Sequence, residues 1–390
     1  MIHIHPFPAR MAPELALAGL EDLPKDYVVL DPMSGSGMVL GTAAKLGISA
    51  IGYDLDPLAC LISKANGTAV REERAREACE KLLSLCNEKS AESVWLPWVD
   101  EETQQYMNFW FAPKQQNQLR ILSYYLVAEP FLKNRNLTDV LKVAVSRLIV
   151  TKDPKASLAR DTAHSRPHRT ITDNDFDIFS ALPKSLDHVL KALCPSEIQL
   201  EAKAYRGDAR KIGRVSDASI DCIVTSPPYL NAIDYMRGHR LSLVWLGFSI
   251  SQLRKIRSRS VGAEVADNGK LTSEIQRFFD ELNPEIDEKK RRILQRYHRD
   301  LSGLTREAYR VLKPGRRATY VIGNSRVKGH EIKNSELLIL AATKSGFRVV
   351  GQEIRDIPEN RRYMPMMNSS DSSLSKRMRT EHVLIFEKPT

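Results

Sequence analysis

Cysteine is scarce and scattered in this chain: Cys60, Cys79, Cys86, Cys194 and Cys222, with no CxxC pair. That spacing argues against a zinc site or a disulfide framework and predicts a reducing interior. No apolar run approaches the length of a membrane span, so no membrane partner is expected. The opening residues Met1-Ile2-His3-Ile4-His5-Pro6 lack the h-region of a signal peptide, which predicts a cytoplasmic protein. Internal repeats and Gly/Ser linkers are missing as well. The chain has 390 residues, 42% hydrophobic and 27% charged, as in an ordinary globular protein. That length accommodates two or three domains, or one large α/β domain with insertions. A formal net charge of +10 and a pI near 9.3 favour a polyanionic partner.

The most telling stretch is Thr225-Ser226-Pro227-Pro228-Tyr229, at the end of the apolar run Ile220-Asp221-Cys222-Ile223-Val224. The run reads as a buried strand of a parallel sheet. Two consecutive prolines offer no N–H and have fixed φ, so the ladder must stop in a rigid, extended corner. Such a corner suits a planar ring bearing an amine. Ser226 and the Pro227 carbonyl can accept from an exocyclic NH₂ while Tyr229 stacks on the ring, with Pro228 holding the turn. The pentapeptide alone is equally compatible with an edge strand ended by prolines.

Elsewhere the strand and helix patterns alternate at both ends of the chain. Tyr27-Val28-Val29-Leu30 leads into Asp31-Pro32-Met33-Ser34-Gly35-Ser36-Gly37; a helix over Met38 to Leu46 stops at Gly47. A second strand, Ala50-Ile51-Gly52-Tyr53, ends in Asp54-Leu55-Asp56-Pro57, completing the opening of a doubly wound sheet. These patterns predict one α/β core in pieces. Residues 1–69, 201–235 and 301–390 form it. Residues 70–200 and 236–300 are largely helical insertions. Residues 151–174 read as an irregular basic loop, with Arg160, Arg166 and Arg169 as candidate contacts to a polyanionic partner.

Gly35-x-Gly37 at a strand-to-helix turn lets the backbone approach a ligand. Asp54 follows at about the 20-residue spacing of an acid that grips ribose hydroxyls. Two features favour S-adenosylmethionine over a dinucleotide. Asp31 at the mouth of the loop would repel a diphosphate but suits an ammonium and a sulfonium. Leu40 stands where the third glycine of the dinucleotide fingerprint belongs. Asp208, past the third core strand, is placed to accept from the adenine amine; its alternative is an N-cap over Ala209-Arg210-Lys211.

With these residues the chain resembles the DNA methyltransferases that modify cytosine N4 or adenine N6. The matching parts are Asp31-Pro32-x-x-Gly35-Ser36-Gly37, Asp54, Gly207-Asp208-Ala209-Arg210, Thr225-Ser226-Pro227-Pro228-Tyr229 and Leu312-Lys313-Pro314-Gly315. His5-Pro6-Phe7-Pro8-Ala9-Arg10-Met11 is similar to the family's N-terminal element beside the methionine end of the cofactor. The resemblance covers roughly half the chain, in pieces. It implies the class I S-adenosylmethionine-dependent methyltransferase fold, a mostly parallel seven-stranded doubly wound sheet. It places the cofactor against Phe7, Pro8, Arg10, Asp31, Pro32, Gly35, Ser36, Gly37, Asp54, Leu55, Asp208, Ala209 and Thr225. The implied partner is double-stranded DNA with a flipped base, in a bacterial or archaeal restriction or phage-defence setting, with or without a partner nuclease.

Ser-Pro-Pro-Tyr is the variant associated with cytosine N4, and adenine N6 is the runner-up. The distance between Asp54 and Asp208 departs from commoner layouts and leaves the target-recognition region unassigned. An RNA or protein methyltransferase of similar fold is disfavoured, since RNA enzymes usually carry Asp or Asn before the prolines. The intact corner and loop argue against a non-catalytic module, and Asp31 against a dehydrogenase. His3 and His5 read as ordinary surface or packing residues, Lys289-Lys290-Arg291-Arg292 as a solvated helix face, and Phe109, Trp110 and Phe111 as core.

Overall fold

A computed structural model describes residues 3–7, 11–193, 202–230, 234–263, 273, 276–278, 288–327, 330–358 and 380–390. Its main sheet has seven strands: β1 (Val28–Asp31), β2 (Ser49–Asp54), β3 (Ala202–Arg206), β4 (Ile220–Thr225), β5 (Leu312–Ile322), β6 (Arg348–Asp356) and β7 (Thr380–Glu387). Their order is β6-β7-β5-β4-β1-β2-β3. Neighbours from β3 to β5 run parallel, and β7 is antiparallel to both β5 and β6. This is the mostly parallel doubly wound sheet that the resemblance implies.

Burial explains the order. Every residue of β4 is buried, as expected where helices cover both faces of a central parallel strand. At the amino end of β4 the buried Asp221 accepts from the Val28 N–H (3.1 Å) and Lys313 Nζ (2.7 Å), pinning β1 and β5 to it. Lys313-Pro314-Gly315 is already part of β5. The β4–β5 register slips between Ile220 and Cys222, which absorbs the proline and the positive φ of Gly315. The outer strand β6 is largely exposed.

Between β2 and β3 the chain leaves the sheet through the helices Pro57–Asn66, Glu72–Asn87, Glu101–Trp110, Pro113–Ser123, Arg135–Ile149 and Ile178–Leu190. After β4 it adds Tyr235–Leu243 and Ile250–Arg259. These segments, far apart in sequence, share one apolar core that includes Leu122, Leu141, Leu182, Leu241 and Trp245. Trp98 Nε1 donates to the Val244 carbonyl (2.8 Å) and Ser123 Oγ to that of Trp245 (2.7 Å). Residues 264–272, 274–275 and 279–287, read as helical insertion, lie outside the described residues. Among those described, no helix is long and apolar enough to cross a membrane.

The aromatic triplet divides. Phe111 is buried and Trp110 partly so, whereas Phe109 is 49% exposed and lies under the Arg169 guanidinium at 5.4 Å. The triplet ends its helix and runs into the Phe111 C-cap, so its three side chains fan around the axis and cannot all face inward.

Candidate active site

The carboxyl ends of β1, β2, β3 and β4 converge on the glycine loop. Gly37 adopts φ 73°, and a Cβ there would sit 2.6 Å from Ser63 Cα, so only glycine lets the loop close on the helix Pro57–Asn66. Asn66 Nδ2 secures it by donating to the Ser36 (3.3 Å) and Gly37 (3.0 Å) carbonyls. Asp54 at the end of β2 accepts from the Gly35 N–H (2.8 Å) through one oxygen and the Asp56 N–H (2.9 Å) through the other. Leu55, half-buried, lies between these two acids. Asp56 caps the following helix through Leu58 N–H (2.9 Å) and pairs with His239 Nδ1.

Asp31 is 3% exposed and accepts from the Thr225 hydroxyl (2.7 Å) and the Met33 N–H (3.2 Å). Pro32 beside it is buried. Burial pushes the Asp31 carboxyl up to about 7 despite those hydrogen bonds. Burial, then the charge of Asp56, raises Asp54 to about 7 as well. Neither acid has a salt bridge to a basic side chain among the described residues. The loop is therefore rich in acceptors and poor in cations. Groups that bring positive charge and hydroxyl donors satisfy it, and a diphosphate does not.

Asp208 follows β3 and closes a turn, with no helix behind it to cap. Its Oδ1 accepts from the Arg210 N–H (3.0 Å) and Nε (2.9 Å), and its Oδ2 from Nη2 (2.7 Å). Burial alone would raise this carboxyl, but the Arg210 hydrogen bonds outweigh it and hold it below the ordinary range. Arg210 also reaches Asp300 of the helix Glu288–Val311, and Ala209 is buried.

The proline corner begins where β4 ends. Pro227 is buried, while Ser226, Pro228 and Tyr229 are half-buried. Tyr297 Oη donates to the Pro228 carbonyl (3.0 Å), and Ser325 Oγ to that of Leu230. Burial pushes the pKa of the Tyr229 hydroxyl upward, and the Ser226 side chain and Gly323 backbone lie near enough to draw it back in part. Thr225 ties this corner to the glycine loop, because its hydroxyl is committed to Asp31.

Phe7 is buried and stacks on Tyr235, with ring centroids 5.3 Å apart. Pro8 and Arg10 lie outside the described residues. The approach to the site is held by His5 Nε2 on Ser146 Oγ (2.9 Å) and by Arg147 Nη1 donating to the Ile4 carbonyl (2.9 Å).

The basic loop is more ordered than its composition suggests. Arg160 pairs across a short antiparallel ladder with His168, and Asp161 and Ser165 take positive φ around the turn Thr162–His164. Thr162 Oγ1 donates to the Thr151 carbonyl (2.7 Å), and Ser165 Oγ to that of Tyr235 (3.4 Å). Arg160, Arg166 and Arg169 are exposed. Arg160 Nε lies 3.3 Å from Asp153, and Arg169 Nε donates to the Ile171 carbonyl (3.2 Å).

Sequence reasoning missed Tyr235, His239 and Tyr297, and named Arg210 only within the Gly207–Arg210 match, not as the partner of Asp208.

No family model matches the chain. It is similar to the Type II methyltransferase M.AvaI of Nostoc sp. (strain PCC 7120 / SAG 25.82 / UTEX 2576), 25% identical over 366 residues, covering 82% of this chain and 73% of that protein. It is also similar to the Type II methyltransferase M.MvaI of Kocuria varians, 24% identical over 434 residues and covering 98% and 90% respectively. Among solved structures, a DNA modification methylase of Thermus thermophilus, complexed with S-adenosyl-L-methionine, is 19% identical with a TM-score of 0.25. That match takes in 47% of this chain and 54% of the other, about half of each.

Proposed function

We propose that this chain, whose curated relatives are Type II methyltransferases, methylates the exocyclic amine of a flipped base in double-stranded DNA. Cytosine N4 is the favoured target, and S-adenosylmethionine the methyl source. The observation that carries the proposal is the Thr225–Asp31 hydrogen bond (2.7 Å). It joins the acceptor-rich glycine loop to a rigid proline corner of the kind an amine-bearing ring needs.

On this reading Asp54 takes the ribose hydroxyls and Asp208 the adenine amine. Asp31 faces the positively charged methionine end. Phe7, Pro8, Arg10, Pro32, Gly35, Ser36, Gly37, Leu55 and Ala209 complete the walls, and Thr225 fixes Asp31. Once bound, the cofactor supplies an electrophilic methyl group. The chain's own part is mostly positioning and electrostatics.

A paired base hides its amine, so the target is flipped out at a cost of a few kcal/mol. The amine lone pair is delocalised into the ring and is a poor nucleophile. Ser226 Oγ and the Pro227 carbonyl accept the two amine hydrogens, which favours a tetrahedral nitrogen whose lone pair is free for displacement; on gaining the methyl group the nitrogen sheds one of those hydrogens as a proton to solvent. Pro228 is braced by Tyr297, and Tyr229 offers its ring to the base. No step requires a covalent intermediate or a catalytic cysteine. The lobe carrying Arg160, Arg166 and Arg169 holds the phosphate backbone.

The test is long-read sequencing of DNA from cells expressing the protein, with Ser226→Ala as control. A site-specific N4-methylcytosine mark that disappears in the control is the expected result. An N6-methyladenine mark would reassign the base. Methyl transfer to RNA with no DNA mark would overturn the proposal.

A further inference from the structure

The helix Tyr235–Leu243, which follows the proline corner, meets the cofactor loop through a cluster with no assigned task. Its first residue, Tyr235, stacks on Phe7 with an interplanar angle of 24°. Phe7 in turn abuts the glycine loop: a Cβ at Gly35 would lie 3.5 Å from Phe7 Cε1. One turn further on, His239 is fully buried and packs on Phe7 with centroids 5.1 Å apart. The same imidazole holds Asp56, two residues past the Asp54 carboxylate. The Tyr235 hydroxyl lies within electrostatic reach of both Asp54 and Asp56. An aromatic pair is thus clamped against the two ends of the glycine-loop site, the loop itself and the acid turn.

Stacked rings beside buried carboxylates form a surface suited to a weakly hydrated cation, because each ring face carries negative potential. We propose that Tyr235 is a cofactor-contacting residue: with Phe7 it forms an aromatic wall that recognises the sulfonium charge of S-adenosylmethionine. This rests on the cofactor assignment above and extends it to the first residue of the helix that follows the proline corner. It gives the enzyme a way to prefer the charged cofactor over its neutral product, S-adenosylhomocysteine, which lacks the sulfonium.

That charge difference supplies the test. The affinities of both ligands are measured by calorimetry for the full-length wild type, Tyr235→Phe and Tyr235→Leu, with thermal unfolding as a check on folding. A ring–cation contact is worth about 0.5–2 kcal/mol, or roughly twofold to thirtyfold in affinity. Tyr235→Leu should lose S-adenosylmethionine affinity by that factor while S-adenosylhomocysteine affinity changes little. Tyr235→Phe should keep the wild-type ratio. A residue that merely packs would weaken both ligands equally, and an unchanged ratio in Tyr235→Leu overturns the inference while leaving the cofactor assignment intact. If Tyr235→Leu does not fold, Tyr235→Met keeps a flexible apolar side chain without a ring and is read in the same way. Wild-type protein that binds neither ligand overturns the cofactor assignment itself.

Discussion

Asp31 and Asp54 set the pH behaviour of the site. Both are raised from 3.8 to about 7, so between those values the folded chain keeps protons that the unfolded chain has released. Their contribution to stability is therefore greatest at low pH and declines as pH rises toward 7. A ligand that donates to their ionised forms reverses the balance. S-adenosylmethionine affinity should rise as pH climbs through about 7 and then level off, with protons released on binding near neutrality. Calorimetry in buffers of different ionisation enthalpy measures that release, and its absence would remove the two acids from the binding step. Asp54→Ala should cost about 1.5–3 kcal/mol, tenfold to a hundredfold in affinity. Unchanged affinity would take Asp54 out of the site. These acids were legible because their chemistry is local to a strand end. Arg210 was not, because its role as the clasp of Asp208 depends on how one turn closes.

At the scale of elements, the glycine loop and the basic loop make different predictions. Gly37→Ala forces a Cβ against the Ser63 backbone at positive φ, and should destabilise the protein by more than about 1 kcal/mol, read as a lower unfolding midpoint. Neutralising Arg160, Arg166 and Arg169 together should weaken binding to all DNA sequences and reduce the salt slope by about one for each phosphate no longer held. Binding titrations across a salt series give that slope. Unchanged binding with altered sequence preference would instead make the loop a reader of bases. The strands and the loop–helix turn were legible from burial periodicity, prolines and glycines. The ordered turn inside residues 151–174 was not, because its positive-φ positions are Asp161 and Ser165 and no glycine marks them. Buried hydrogen bonds through Thr162 hold that turn in place.

Across the whole molecule, cofactor binding should stabilise the folded chain. At a hundredfold excess over Kd the gain is about 2.7 kcal/mol, seen as a higher thermal midpoint that is absent in a variant unable to bind. The chain's interruptions shape its architecture. A core whose strands are scattered from residue 28 to residue 387 is rejoined by one sheet, and the helices Tyr235–Leu243 and Ile250–Arg259 share an apolar core with those of the first insertion. The amino-acid sequence by itself determined the α/β core, the glycine turn, the acids at the strand ends and the proline corner. Each of these follows from short-range chemistry: fixed φ, a missing N–H, an absent Cβ, or a run of buried side chains. Only the tertiary structure decided that Thr225 meets Asp31, that Tyr297 braces Pro228, and that Phe7 stacks on Tyr235. Those pairs are distant along the chain, and their proximity comes from the strand order of the sheet and from how helices and the N-terminal segment pack on it, which no local pattern encodes.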